Sequence, residues 1–214
     1  INLPFSTNAH VQHYEDLKRI EFDIYRNNKY IGKHIFSFKR SDGQLAVESE
    51  INFEIKKFGI VLYKYHVHGT EIYQNGELIK FNSKTNQNGK QKYVNMKLEN
   101  GEYIIDGSSY KGKAPKEYLL GTWWNHSIVK TAAQISAVSG RIIKQKVTFL
   151  GKETIKLGNK SYNTLHFNFS STDKKLDKDK RLNTHVWYDE KTLNWVKASF
   201  NKKGKWEYKL VSID

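Results

Sequence analysis

The chain has 214 residues, which is enough to bury a sizeable core without disulfides or a structural metal. It contains no cysteine, which excludes disulfides, thiolate catalysis and cysteine-ligated metals. The net charge of +14 would attract polyanions, but lysine greatly outnumbers arginine and no nucleic-acid motif is present, which argues against a specific nucleic-acid role.

The composition favours strands over helices. Five Trp, 13 Tyr and 11 Phe residues argue against disorder, and Tyr, Phe, Ile, Thr and Val dominate over helix formers. No hydrophobic run is long enough to span a bilayer. The chain begins at Ile1 without an initiator Met, which would fit a cleaved export signal or a trimmed chain.

Residues 1–15 show no sustained period, so we predict an N-terminal arm followed by a single β domain over residues 16–214. Within the arm, His10, His13 and Glu15 have the spacing of metal ligands on one helical turn. A third ligand at a separate position is missing, so a capping or surface role is the alternative.

From Leu17 onward the hydrophobic pattern has a period of two, which is typical of strands. Turns are predicted at Asn27-Asn28-Lys29 and at Ser41-Asp42-Gly43. Closely spaced turns between alternating segments indicate an antiparallel meander rather than βαβ units.

A long hairpin follows, with strands over 60–73 and 78–85 and a turn at Asn75-Gly76. Asn-Gly between alternating runs favours a type I′ turn because both residues tolerate a positive φ. One face of the first strand carries Val61, Tyr63, Tyr65, Val67, Glu71 and Tyr73. The opposite face carries Ile60, Leu62, Lys64, His66, His68 and Thr70.

The alternation fails between about residues 115 and 135, where the spacing of Ile128, Ala132 and Ile135 predicts one or two short helices capped by Asn125 or Ser127. A second series of strands follows. The prediction is an all-β, mainly antiparallel fold, a strongly curved sheet or β-barrel like those of lipocalins and lipoprotein carriers, with a short helical insertion.

Several motifs resemble those of an uncharacterised family of bacterial exported β-rich proteins. They are FDIYRNNKYIGKH (22–34), EIYQNGEL (71–78), TNQNG (85–89), TWWN (122–125), GKE (151–153) and WYD (187–189). The family pattern has Asn-Gly-Lys where this chain has Asn27-Asn28-Lys29, which alters only the first turn. The resemblance implies an exported, periplasmic β protein and supplies no catalytic residues.

Aromatic side chains are the first candidates for a ligand site, because inward-facing rings of a cupped sheet could hold an apolar molecule. Trp123 and Trp124 lie in the irregular segment, where a lid over a barrel mouth would lie. The candidate ligand-binding residues are Tyr63, Tyr65, Glu71, Thr85, Asn86, Trp123, Trp124, Asn125 and Trp187. The alternative is that these rings only fill the core.

Polar groups give two further candidates. Glu71 on an apolar face needs a partner, either across the hairpin or from the Trp-Trp-Asn segment, and a general acid–base role with His126 or His185 is the catalytic alternative. His66 and His68 lie about 7 Å apart on one strand face and could bind a metal with His34 or His185, or could be plain surface residues. No cofactor motif is present.

These observations favour an exported protein that binds or carries a hydrophobic small molecule or lipid in a β cavity, with a basic exterior suited to an anionic membrane surface. An enzyme that acts on a lipid or glycan through Glu71 and a nearby His is the first alternative. A structural module of the cell envelope, with a filled core and an exposed apolar patch, is the second.

Overall fold

The computed structural model describes residues 14–214, so His10, His13 and most of the predicted arm lie outside the described residues. The strands are β1 (Arg19–Arg26), β2 (Lys29–Ser41), β3 (Gln44–Lys57), β4 (Ile60–Gln74), β5 (Glu77–Gln87), β6 (Lys90–Glu99), β7 (Glu102–Gly107), β8 (Lys111–Pro115), β9 (Leu119–Leu120), β10 (Ala133–Ile135), β11 (Ile142–Leu157), β12 (Lys160–Ser171), β13 (Asn183–Asp189), β14 (Trp195–Asn201) and β15 (Lys205–Ile213). Two 3-10 helices span His126–Lys130 and Lys178–Lys180.

All fifteen strands belong to one curved sheet, in the order β8-β7-β6-β5-β4-β3-β2-β1-β15-β14-β13-β12-β11-β10-β9. The pairs are antiparallel except β9 with β10. β1 pairs with β15, so the two ends of the described chain meet in the middle of the sheet. Within residues 14–214, the edge strands β8 and β9 are not paired with each other. The predicted all-β, mainly antiparallel, strongly curved architecture is therefore confirmed, as a curved sheet that is not closed.

The strands form because the sequence alternates between residues that face the core and residues that face solvent. In β1 the side chains of Ile20, Phe22 and Ile24 are buried, and the residues between them are half-buried. The largest fully buried side chains are aromatic: Trp124, Trp195, Tyr14, Tyr103, Tyr188, Phe22, Phe36, Phe81 and Phe169. The inner face of the sheet is thus packed mainly with rings.

Six tight turns have a positive φ at both central residues: Asn27-Asn28, Asp42-Gly43, Phe58-Gly59, Asn75-Gly76, Asn88-Gly89 and Asn100-Gly101. The predicted turns are confirmed. In five of the six, the first central residue is Asn or Asp, which tolerates this conformation because its short polar side chain bonds locally. Phe58 is the exception, with φ 50°. A bulky residue there costs roughly 1–2 kcal/mol.

Because the strands run up and down, these turns fall at two ends of the sheet. We call the end with turns 26–29, 57–60, 87–90 and 201–205 the basic end, and the end with turns 41–44, 74–77, 99–102 and 189–195 the acidic end. The basic-end turns carry Arg26, Lys29, Lys57, Lys90, Lys202, Lys203 and Lys205 and no acidic residue. The acidic-end turns carry Asp42, Glu77, Glu99, Glu102, Asp189 and Glu190 and one lysine, Lys191.

The predicted helical insertion is reduced to one 3-10 helix, because the rest of that region consists of turns, bends and short strand segments. We call residues 121–131 the central segment. Burial alternates along the chain from Leu120 through Trp124 to Ile128, and Gln134 and Ile135 continue as a strand that pairs with β11. The predicted cap is present, since Asn125 Oδ1 accepts a hydrogen bond from the Ser127 amide at 3.0 Å.

Candidate functional site

The carboxylate of Glu71 lies inside the sheet and is fully buried. β4 directs it inward because Glu71 shares a face with Val67 and Tyr73, as the parity of this strand predicts. The Tyr73 hydroxyl donates to Glu71 Oε2 at 2.5 Å, and the Trp124 indole donates to Oε1 at 3.0 Å. Thr122 adds a third hydrogen bond. The expected partner from the Trp-Trp-Asn segment is therefore Trp124.

Burial raises the pKa of Glu71 from 4.5 to about 7, although the hydrogen bonds from Tyr73, Trp124 and Thr122 oppose this rise. The same burial raises the pKa of Tyr73 well above its usual value. A general acid or base must reach its substrate, and Glu71 has no exposed surface. In this geometry Glu71 holds the central segment through Trp124 and Thr122.

Trp123 and Trp124 have different environments although they are adjacent. Trp124 is fully buried, and its ring contacts the rings of Tyr14, Phe38 and Tyr73 edge-on. Trp123 is only partly buried and has a φ of 61°. Such a conformation is an outlier for a bulky residue, costs roughly 1–3 kcal/mol and is found mostly at functional sites.

The backbone of Trp123 is held by the Tyr188 hydroxyl, which donates to its carbonyl oxygen at 2.9 Å. The Trp123 ring packs edge-on against the ring of Trp195, with a centroid distance of 5.6 Å, and against that of Tyr208 at 6.4 Å. His34 packs on the other side of this group, 5.9 Å from both Trp195 and Tyr208. Four rings from β2, β14, β15 and the central segment thus converge inside the sheet.

Three buried ring nitrogens of this group have no hydrogen-bond partner in residues 14–214: His34 Nδ1, Trp123 Nε1 and Trp195 Nε1. Thr85 Oγ1, on the inner face of β5, is also buried without a hydrogen-bond partner in residues 14–214. Leaving a buried polar group unpaired costs about 1–3 kcal/mol. His34 does bond to Ser49 through Nε2 at 2.9 Å, and burial lowers the pKa of His34 to about 3, so it is neutral at physiological pH.

Further rings continue this group toward the basic end. We call Phe53, Tyr63, Tyr65, Phe200 and Trp206 the aromatic wall. Phe53 lies 4.8 Å from Tyr65 and 5.3 Å from Trp206, and Phe200 stacks on Trp206 at 5.8 Å. All but Phe53 are only partly buried although they lie on the inner face, which means that solvent reaches the inside of the sheet at this end.

Three predicted ligand or catalytic residues lie elsewhere. Asn86 is exposed and caps a turn by accepting from the Gly89 amide, so it lies outside the inner group of rings. Trp187 and His185 point to the outer face of β13, because the inward positions of that strand are taken by Val186 and Tyr188. Trp187 and His185 therefore lie away from the inner face of the sheet and away from Glu71.

His126, the other predicted partner of Glu71, is buried and packs its ring edge-on against Tyr188 at 4.8 Å. Its amide donates to the Tyr14 hydroxyl at 3.0 Å, which in turn donates to the Leu193 carbonyl at 3.1 Å. His126 thereby fixes the central segment to the turn after β13.

A polar cluster that the sequence analysis missed lies on the outer face of the second half. His166 bonds to Glu153 through Nδ1 at 2.8 Å and to His185 Nδ1 through Nε2 at 2.8 Å, and it stacks on Trp187 at 4.1 Å. The Trp187 indole donates to Glu153 at 2.6 Å, and Lys197 lies over its ring. Burial lowers the pKa of His166, although Glu153 opposes this change. From the sequence, this cluster could be found only through the pairing of His166 with Trp187 on neighbouring strands. That pairing requires knowledge of how β12 and β13 are aligned.

The histidines of the predicted metal site are separated. His66 and His68 are exposed on the outer face of β4, His34 is inside the sheet, and His185 belongs to the cluster on β13. No group of three His, Cys, Asp or Glu side chains in residues 14–214 is arranged to hold a metal ion.

A comparison with models of protein families assigns this chain to a family. The model of a domain of unknown function, DUF6134, matches residues 22–211. The chain belongs to the DUF6134 family. Membership of an uncharacterised family, which the motifs predicted, is thereby confirmed.

The fold of this DUF6134 protein has a counterpart among solved structures. The crystal structure of a beta-barrel-like protein of the domain of unknown function DUF1849 from Brucella abortus aligns with a TM-score of 0.62. The alignment covers 92% of this chain and 98% of that chain, with 11% sequence identity. At that identity the likeness shows the fold alone. A comparison with curated proteins found no match.

Two open clefts lie on the surface of the DUF6134 chain. One, of about 660 Å³, is at the acidic end and is lined by Glu15, Arg40, Asp42, Tyr73 and Asn75 among others. The second, of about 380 Å³, lies where the turn between β11 and β12 approaches Tyr25 and Lys209. In the described part of the chain, no helix is both long and apolar enough to cross a membrane.

Proposed function

We propose that this protein binds an apolar ligand that carries a hydrogen-bond acceptor, and that the ligand lies between the aromatic wall and Trp123. The single observation that carries this proposal is the pair of buried indole N–H groups of Trp123 and Trp195, which have no acceptor within residues 14–214. An indole can only donate, so these two donors on contacting rings suit a ligand with an acceptor, such as a carbonyl or carboxylate oxygen.

The surroundings fit such a ligand. The aromatic wall offers partly exposed rings on the inner face, which is the environment that binds the apolar part of a small molecule. His34 and Thr85 supply two further unpaired polar atoms. The strained backbone of Trp123 supports a ligand-contacting role, because strain of this kind persists where function requires it.

Glu71 supports the site indirectly. It binds Trp124 through the indole nitrogen and so positions the adjacent Trp123. We propose further that the protein is exported and that its ligand is a lipid or a related molecule of the cell envelope, in line with the family resemblance and the basic surface.

Fluorescence titration with a dansyl-labelled fatty acid would test this function, since the probe has an apolar chain and a carboxylate. Trp123→Phe keeps a ring at that position and removes one donor. We expect it to weaken binding about tenfold, the equivalent of about 1.4 kcal/mol. Native mass spectrometry of the protein purified from its own host would show whether a lipid copurifies.

Trp187→Phe is the matched control, because it removes an indole N–H on the outer face that is already bonded to Glu153. We expect this variant to bind the probe as tightly as the wild type does. Equal weakening by both substitutions, or no saturable binding by the wild type together with an empty protein in native mass spectrometry, would overturn the proposed site.

A further inference from the structure

The turn between β3 and β4 differs in sequence from the other five tight turns. Phe58 occupies the left-handed position that Asn or Asp occupies elsewhere, and it is followed by Gly59 at φ 78°. Its side chain is 92% exposed. The fold thus places a bulky residue in a left-handed turn position where no other described part of the molecule covers it.

Phe58 belongs to a contiguous apolar tip. Ile60 is 66% exposed and Leu62 is 54% exposed, and Val61 between them is also exposed. Exposed apolar patches on a soluble protein usually mark a surface that binds something. We call residues 58–62 the apolar tip.

The apolar tip ends a stretch of hairpin in which β3 and β4 pair only with each other. β2 pairs with β3 only as far as Phe53, and β5 pairs with β4 only from Tyr65 onward. Residues 54–57 therefore pair only with β4, over about 13 Å at about 3.3 Å per residue. This length exceeds the 5–10 Å by which interfacial apolar groups enter a bilayer. Over it β2 pairs with β1 and not with β3.

The charges around the apolar tip are positive. Its base carries Lys56, Lys57 and Lys64, with Glu54 bonded to Lys56 and Lys64. The other basic-end turns add Arg26, Lys29, Lys90, Lys202, Lys203 and Lys205. The pKa of Lys92 is lowered mainly by burial. The nearby positive charges of Lys202, Lys90 and Arg141 lower it further.

We propose that the apolar tip inserts into the interfacial layer of an anionic phospholipid bilayer while the lysines of the basic end contact the headgroups. The four turns that define the basic end are positive and the four that define the acidic end are negative, so these charges favour one orientation toward an anionic plane. The surface is separate from the ligand site, but Tyr63 and Tyr65 lead from the tip to the aromatic wall along β4.

Phe58→Asn tests this proposal without damaging the fold, because Asn occupies the same position at Asn75, Asn88 and Asn100. The full chain would be mixed with vesicles of phosphatidylethanolamine and phosphatidylglycerol, and binding measured by flotation. We expect the variant to unfold at the same or a higher temperature than the wild type and to bind the vesicles at least about tenfold more weakly. Wild-type binding should fall with added salt and on vesicles of phosphatidylcholine alone.

Leu150→Asn is the control, because Leu150 is an exposed apolar residue on β11, 49% exposed and away from the tip. It should leave vesicle binding unchanged. Vesicle binding that Phe58→Asn leaves intact would overturn the proposal. So would a wild-type protein that does not float with anionic vesicles at physiological salt, and the tip would then be assigned to a protein partner.

Discussion

The buried carboxyl of Glu71 predicts a specific dependence of stability on pH. Its pKa is raised from 4.5 to about 7 in the folded protein, chiefly by burial. A raised pKa means that the folded state binds the proton more tightly than the unfolded state does, so stability is fully present below about pH 4.5 and falls as pH rises toward 7.

The size of this effect follows from the shift. A difference of about 2.5 pH units corresponds to about 3 kcal/mol, since each unit is worth about 1.4 kcal/mol. About 2 kcal/mol of this loss falls between about pH 5 and about pH 7.5. Glu71→Gln removes the titrating group and keeps an oxygen that can accept from the Trp124 indole.

Urea unfolding followed by tryptophan fluorescence would measure the free energy of unfolding of both proteins at the two pH values. The variant should gain about 2 kcal/mol relative to the wild type between about pH 5 and about pH 7.5. Glu77→Gln, which removes an exposed carboxyl bonded to Lys116, should show much less of this change. If the free energies of unfolding of Glu71→Gln and of the wild type differed by the same amount at both pH values, the reasoning would be refuted.

Three further substitutions test the packing and the outer cluster. Gly32→Ala would place a methyl group 2.1 Å from the Asn52 carbonyl oxygen, so thermal unfolding should show a loss of about 3 kcal/mol or more, and an unchanged melting temperature would contradict this packing. Tyr14→Phe removes the hydroxyl that joins the central segment to the turn after β13 and should cost about 1–3 kcal/mol in urea unfolding. Glu153→Gln should lower the pKa of His166 further in an NMR titration, because the carboxylate now favours the charged ring; a rise would show that another group controls it.

The meander could be predicted from the sequence because its signals are local. Asn75-Gly76, Asn88-Gly89 and Asn100-Gly101 require only neighbouring residues to define a turn, and the parity of β4 places Glu71 inward without knowledge of any other strand. The same reasoning does not orient Trp187, because β13 has aromatic residues on both faces and hydropathy does not distinguish them.

The central segment could not be predicted, for a different reason. Its buried positions include Thr122 and His126 as well as Trp124, so the alternation of burial is not an alternation of hydropathy. Thr122 is held by its bond to Glu71, and the backbone amide of His126 by its bond to Tyr14, and both partners are distant in sequence. The unpaired nitrogens of Trp123 and Trp195 likewise become visible only when β14 and the central segment are placed together.

The pairing of β1 with β15 also has a consequence for the order of folding. Arg26 lies opposite Trp206, so this contact closes a loop of most of the chain and carries a large entropic cost. The hairpins on either side need no such closure, and we expect them to form earlier. The central segment lies in the interior between them, with Tyr14 on one side and Tyr188 on the other. We expect it to pack as the two halves join, which makes the aromatic residues of the interior part of the assembly route as well as of the final core.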